Sequence, residues 1–542
     1  MTSMTPPGAT SAPTQHDSSL APLRYPVYAV LWLATVVSNV GTWMQNATSG
    51  WLMTTLDPDP FLVSMVQVAT SLPLFIFAIP AGALADIVDR RRLLIVSQIA
   101  IVVIVALFGI VVQQNSATPL TLLLVSFAAA TAAALVMPAW QAIVPQLVPR
   151  QHLQPAIALN GVGVNVSRAI GPALSGIIIG AWGMAAPFWI NAATTLGVIA
   201  ALVWWDPPAA VGRSLPSETF VRAIRVGLRH ARYNPDLRAA LIRAAGFFLF
   251  ASAYWALLPL VAREQVRGGP TLYGLLLGAI GAGAVGGAFA VPALRRRFGV
   301  DGVVAAATAG TAVAMLLFAV AREPVAALAA CVLAGVSWIA ALATLNVSAQ
   351  MALPGWVRGR GLSVYLTVMF GSLTAGSALW GKVAVHVGLP AAHVIAAVGA
   401  LAGLALIRRW KLKSAAADDL GPASQWPEPI ASEEIDSDHG PALVTVRYRI
   451  RAEDRDAFLR AIRQLSYERC RDGAFDWDVF EDLSQPGTFL ETFLLESWTE
   501  HLRQHARVTQ ADLVLQAEVN RFHIEGSPEV SHFLSRGEAG RS

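Results

Sequence analysis

Between Phe61 and Pro80 the chain carries no charged residue. Apolar runs of this kind lie near 27–53, 61–85, 93–113, 119–143, 155–181, 187–205, 241–262, 271–294, 302–321, 325–350, 362–385 and 390–407. A bilayer core about 30 Å thick is crossed by about 20 apolar residues in a helix. Twelve membrane-spanning helices are therefore expected, the first unwinding in part near Asn46 to Gly50. After Lys413 the pattern changes. "ALVTVRYRI" alternates with period two, and "EDRDAFLRAIRQLSYERCRDG" is an amphipathic helix. Two strands follow, "FDWDVFEDL" and "TFLETFLLES", joined by "SQPG". A helix over roughly 499–517 and a last short strand, near Phe522 or over Glu529 to Leu534, complete the series. The expected fold class is an all-α membrane protein of twelve transmembrane helices in two six-helix halves, plus a C-terminal soluble α+β domain.

Composition agrees with that reading. Of 542 residues, 55% are hydrophobic and 14% charged, with mean hydropathy +0.53. Soluble domains carry about 25% charged residues. The cysteines Cys331 and Cys470 are far apart in sequence and imply no disulfide framework. Residues 1–23 are rich in Pro, Ser and Thr, and read as a disordered tail and not a signal peptide.

Charge placement adds orientation. Twenty arginines and lysines flank the runs on one side, at 90–92, 150, 213–243, 295–297, 358–360 and 408–413. The other side has Arg263, Arg267 and Arg322. The positive-inside rule makes the rich side cytoplasmic, with both termini inside a plasma membrane crossed many times. The polar stretch 206–240 then connects the halves 24–205 and 241–410, and 411–441 links to a tail domain at 442–535.

The halves echo each other. "GALADIVDRRR" (82–92) matches "GAFAVPALRRR" (287–297), and "QAIVPQLVPR" (141–150) matches "QMALPGWVR" (350–358). Parallel six-helix repeats with a cytoplasmic connector are the plan of one large transporter class. The loop Gly82-x-x-x-Asp86-x-x-Asp89-Arg90-Arg91 resembles the signature of the major facilitator superfamily, with Ile87 where arginine is usual and Asp89 where glycine is usual. Gly171-Pro172-x-x-Ser175-Gly176 resembles part of the superfamily's exporter-associated Gly-Pro element. "MPAWQAIVPQLVP" and "NGVGVNVSRAIGP" are most similar to the enterobactin-exporter-like branch. The β-α-β-β-α tail resembles a ferredoxin-like domain of the antibiotic-biosynthesis-monooxygenase type, which implies pairing through the sheet.

A conformational latch is expected around Gly82, Asp86, Asp89, Arg90 and Arg91, with Asp86 accepting hydrogen bonds from the start of the eleventh span near Arg358 and Arg360. The resemblance implies the same role for the loop aspartate. Arg168 falls near mid-bilayer, thirteen residues beyond Pro155. Burial there costs about 2.5–3.5 kcal/mol unless protein or water surrounds it. Asn39, Gln45, Gln141, Asn165, Asn346 and Gln350 are expected to join Arg168 in a substrate cavity. In the tail, His501 and His505 have metal-binding i, i+4 spacing but no third ligand at suitable spacing, so no metal is expected. Trp477 and Trp498 read as packing residues. The arginines beside Cys470 would lower its pKa if it were exposed. No nucleophile–base set and no Walker motif occurs. The expectation is a secondary active transporter exporting a small molecule such as a siderophore, drug or secondary metabolite. It is not an enzyme and has no cofactor or nucleic-acid partner. Import by the same fold, or a tail enzyme acting on the cargo, are the alternatives.

Overall fold

The computed structural model describes residues 20–206, 220–405, 409–412, 440–524 and 526–535. Most of the expected N-terminal tail and of the 411–441 linker thus lies outside the described residues. The first bundle comprises α1 (Pro26–Leu56), α2 (Pro60–Ile87), α3 (Arg90–Gln113), α4 (Pro119–Leu147), α5 (Leu153–Trp182) and α6 (Ala186–Trp204). Proline at the first turn starts α1, α2 and α4, where no intrahelical N–H is lost. Asp59 caps α2 and Thr118 caps α4. Contrary to expectation, α1 does not unwind near Asn46 to Gly50: the helix is continuous and its residues 47–50 are buried. Packing against neighbouring helices outweighs the weak local propensity of Ser and Gly.

The segment between the bundles holds α7 (Phe220–Tyr233), an amphipathic helix followed at once by α8 (Pro235–Leu260). The second bundle continues with α9 (Pro270–Val320), α10 (Pro324–Met351) and α11 (Arg358–Ala402). Among the described residues, ten helices are long and apolar enough to cross a membrane. Two are over-long. At 51 residues, α9 would run about 75 Å if straight, over twice a bilayer core. It is interrupted at Gly299, with φ 69°, and the 45-residue α11 is interrupted at Gly388, with φ 80°. Left-handed φ is cheap for glycine, so the chain turns there.

The tail forms β1 (Ala442–Arg449), α12 (Arg455–Asp472), β2 (Phe475–Glu481), β3 (Thr488–Leu495), α13 (Trp498–Arg507), α14 (Gln510–Asn520) and β4 (Glu529–Leu534). The strands make one antiparallel sheet in the order β2-β3-β1-β4. Val446 and Tyr448 turn inward onto Phe458, Ile462 and Leu465 of α12, and Val444 packs with Phe493, Leu495 and Trp498. The single helix expected over 499–517 is two helices. Thr509 and Asp512 form a capping box that starts α14 afresh.

Candidate functional site

Two faces of the helical body can be told apart by charge. The arginine-rich face holds Arg90, Arg150, Arg295 and Arg358, and the arginine-poor face holds Arg263, Arg267 and Arg322. Toward the arginine-poor face the bundles meet backbone to backbone. A Cβ on Gly176 of α5 would lie 2.6 Å from the Pro270 carbonyl oxygen, and one on Gly281 of α9 would lie 2.4 Å from Ala169 Cα. Small residues permit this approach, the usual device of helix association in lipid. The Gly171-Pro172-x-x-Ser175-Gly176 element therefore lies on the seam. Arg263 donates to the Thr54 carbonyl oxygen near the end of α1, and Trp51 stacks on Tyr273 at 5.8 Å. Between α2 and α11, Ser71 and Thr374 hydroxyls are 2.8 Å apart.

Arg168 lies nearer the arginine-rich side of this packing. Its guanidinium stands 5.0 Å over the Trp43 ring. Its Nε is buried without a hydrogen-bond partner, and so is the hydroxyl of Tyr254 in the second bundle. Tyr254 faces the seam near Arg168. Asn165 donates to the Gly161 carbonyl one turn below, at 2.9 Å. Asn39, on α1, is half-buried. Gln141 and Gln350, equivalent in the internal repeat, are both exposed near the arginine-rich face, and Gln350 donates to Asn346. Gln45 goes elsewhere: it is buried inside the first bundle and accepts from Asn191 of α6. Sequence reasoning missed Trp43 and Tyr254. Trp43 lies one turn from Asn39, a signal available in the spacing, whereas Tyr254 comes from the other bundle and had none.

The expected latch set divides. Asp89 caps α3, accepting from the Arg92 amide at 2.8 Å, because a helix start needs an acceptor for its unpaired N–H groups. Arg91 donates to Leu202 and Val203 carbonyls at 2.8 and 2.7 Å, capping the end of α6. Arg90 donates to Ala142 O at 3.3 Å. These bonds brace the first bundle and do not span the two. The surroundings of Gly82 and Asp86 lie outside the described residues. Arg358 is exposed, and Arg360 packs beside Gly227 of α7, where an added Cβ would be 3.3 Å from Arg360 Cβ.

The tail sits on α7 and on the loop before α11. Arg225 pairs with Glu496 at 3.0 Å and Arg229 with Glu500 at 3.5 Å. Arg507 lies 4.6 Å over the Trp356 ring, and His230 meets that ring edge-on at 5.7 Å. Burial, then the charges of Arg471, Arg507 and Arg229, hold His230 down at about 3. A cavity of about 860 Å³ opens between α7 and the tail, lined by Arg225, Arg229, Cys470 and Trp477 among others. The exposure that would let the arginines lower the Cys470 pKa is not met: the thiol is half-buried, and burial pushes it up against the opposing effect of Arg229. Trp477 donates to the buried Glu491 at 2.9 Å, and Trp498 is buried in the second tail cluster.

Known proteins of the same kind are transporters. The chain is 24% identical to the multidrug efflux pump Tap of Mycolicibacterium fortuitum over 68% of its own length and 91% of Tap's. It is 23% identical to the enterobactin exporter EntS of Citrobacter koseri, over 59% of this chain and 76% of that one. With the uncharacterized transporter YfiS of Bacillus subtilis it shares 24% identity, and the match spans only about half, 51%, of YfiS. Among solved structures, a POT family transporter in complex with a thioalcohol-conjugated peptide superposes with TM-score 0.60 at 13% identity, covering 70% of this chain and 95% of that one. A bacterial Spinster homologue in an inward-facing conformation superposes with TM-score 0.53 at 14% identity, covering 71% and 95%. The family model described as transmembrane secretion effector matches residues 17–540, tail included. With its paired helical bundles and glycine-lined seam, the chain thus belongs to the transmembrane secretion effector family of major facilitator transporters.

Proposed function

We propose that this protein is a secondary active exporter of a small molecule, working by alternating access between two six-helix halves. The observation that carries the reading is the seam. Among the described residues the bundles interlock through Gly176, Gly274 and Gly281 toward the arginine-poor face, while Gln141 and Gln350 stand exposed toward the other. By the positive-inside rule the arginine-rich, open face is cytoplasmic, and both termini share it. The breaks support twelve spans. Gly299 follows Arg295–Arg297 on the arginine-rich side, and Gly388 falls on the other side, so each over-long helix is two spans joined by a tight turn.

Arg168 is the binding residue in this reading. A buried guanidinium nitrogen without a partner, at the seam and beside Tyr254, suits an anionic or strongly hydrogen-bonding cargo entering from the cytoplasm. The efflux and siderophore-export relatives support export of such molecules. Asp86 retains the latch role toward α11, with Asp89, Arg90 and Arg91 bracing the loop that carries it. The tail is a ferredoxin-like domain of the antibiotic-biosynthesis-monooxygenase type. The sheet face away from its helices presents Phe480 and Phe533, both more than half exposed, which supports self-association there. The decisive experiment compares accumulation of a metabolite panel in cells with and without the gene. A compound retained only in the absence of the gene supports export; uptake that requires the gene overturns it.

A further inference from the structure

We propose that His501, His505 and His532 bind one divalent transition-metal ion, with a fourth coordination position open to solvent. This goes beyond the transport reading and does not depend on it. His501 and His505 share one face of α13, their rings 4.6 Å apart. The third residue comes from β4. His532 pairs in register with Val444, whose side chain is buried beneath the helices, so His532 also turns toward α13. Its ring lies 4.8 Å from that of His501. One ring nitrogen from each residue falls within 4.8 Å of the other two. Zinc–nitrogen bonds of about 2.0–2.1 Å in a tetrahedron space the nitrogens about 3.3 Å apart, so the rings must draw in by up to about 1.5 Å. Small side-chain rotations cover that distance.

Core packing alone does not account for this arrangement. His501 is 2% exposed, and neither of its ring nitrogens has a hydrogen-bond partner. Buried polar groups in proteins are nearly always satisfied, and an unmatched one calls for an explanation such as an ion. Trp498 packs on His501 at 5.2 Å and on His532 at 6.0 Å, restricting both rings. His532 is exposed at the sheet edge, which provides entry and leaves room for water at the fourth position. Three imidazoles without thiolate or carboxylate suit zinc, copper, nickel or iron over magnesium or calcium. The same helix carries Glu500 and Arg507, which meet Arg229 and Trp356, so an ion here ties the sheet edge to the docking helix.

The test uses the tag-free full chain in nanodiscs, stripped with chelator and titrated with Zn2+ by calorimetry and with Co2+ by visible absorption. One ion per chain and the intense bands of tetrahedral Co2+ are expected. His505→Asn and His532→Ala should each weaken Zn2+ binding by more than the roughly 10–100-fold that loss of an outer partner costs. Both positions are partly exposed, and unchanged gel-filtration and circular-dichroism profiles confirm the fold of each variant. Absence of stoichiometric Zn2+ binding, absence of tetrahedral Co2+ bands in the wild-type chain, or undiminished binding by both folded variants overturns the proposal.

Discussion

Gly274 of α9 rests directly on the backbone of α5: a methyl group added to it would stand 2.5 Å from the Pro172 carbonyl oxygen. No flexible side chain lies there to move aside. Closure of the arginine-poor face therefore depends on the absence of a side chain. Gly274→Val should overpack the seam by about 1–3 kcal/mol and shift the conformational equilibrium about 5- to 150-fold toward opening on that face. A cysteine at Ala173, which faces Gly278 of α9 across the seam, should then become more reactive to an impermeant reagent from the arginine-poor side, and transport should fall. Unchanged reactivity and transport would show that the seam stays fixed during turnover.

Arg168→Lys and Arg168→Gln separate cargo binding from helix support. A charge-assisted hydrogen bond is worth about 1.5–3 kcal/mol, or roughly 10- to 150-fold in affinity. For an anionic cargo the apparent affinity should fall in both variants, further for Gln than for Lys, with insertion unchanged. Instability of both, with normal affinity in the surviving protein, would assign the arginine to holding the helices.

Asp86→Asn should impair transport while leaving insertion intact, because it weakens one conformational state and not the spans. Full transport by this variant would falsify the latch.

The tail should stay docked on α7 in the membrane. Cysteines replacing Arg225 and Glu496, whose side chains meet at 3.0 Å, should cross-link efficiently. Adding Arg229→Glu sets two carboxylates together against Glu500 and should cut the yield severalfold. Equal yields with and without that change would count against docking through this pair.

Acid should loosen the same contact. His230 is held at about 3 against an ordinary value of 6.5, so the unfolded or undocked form binds a proton more readily. Its contribution is complete above about pH 6.5 and declines as pH falls toward 3. The Arg225–Glu496 cysteine cross-link should therefore weaken between pH 7 and 5, and His230→Phe should flatten the response. A pH-independent yield in the parent pair would exclude His230 as the cause.

Much of the helical body was legible because lipid imposes a simple rule. Every backbone polar group must be satisfied within its own helix, so spans are long, apolar and countable. The run Phe61 to Pro80 and the arginines that follow it belong to that grammar. The tail strands were legible for a similar reason, since "ALVTVRYRI" alternates on a sheet with one buried face. The split of α13 from α14 was signalled in "RVTQAD", where Thr509 and Asp512 form the cap.

The sites were only partly legible. Arg168 stood out by its cost in lipid, but its neighbours Trp43 and Tyr254 come from two helices far away in sequence. Gln45 was polar in an apolar run like the other cavity candidates, yet Asn191 draws it into the first bundle. His501 and His505 announced a helix face and no more; the sheet register of β4 brings His532 to them. Hydrophobic period, charge bias and capping chemistry act over a few residues, and the sequence by itself determined the helices, their likeness between halves and the tail strands. Which residues meet depends on the packing of distant segments, so the tertiary structure alone decided the glycine seam, the partners of Arg168 and the three-histidine cluster.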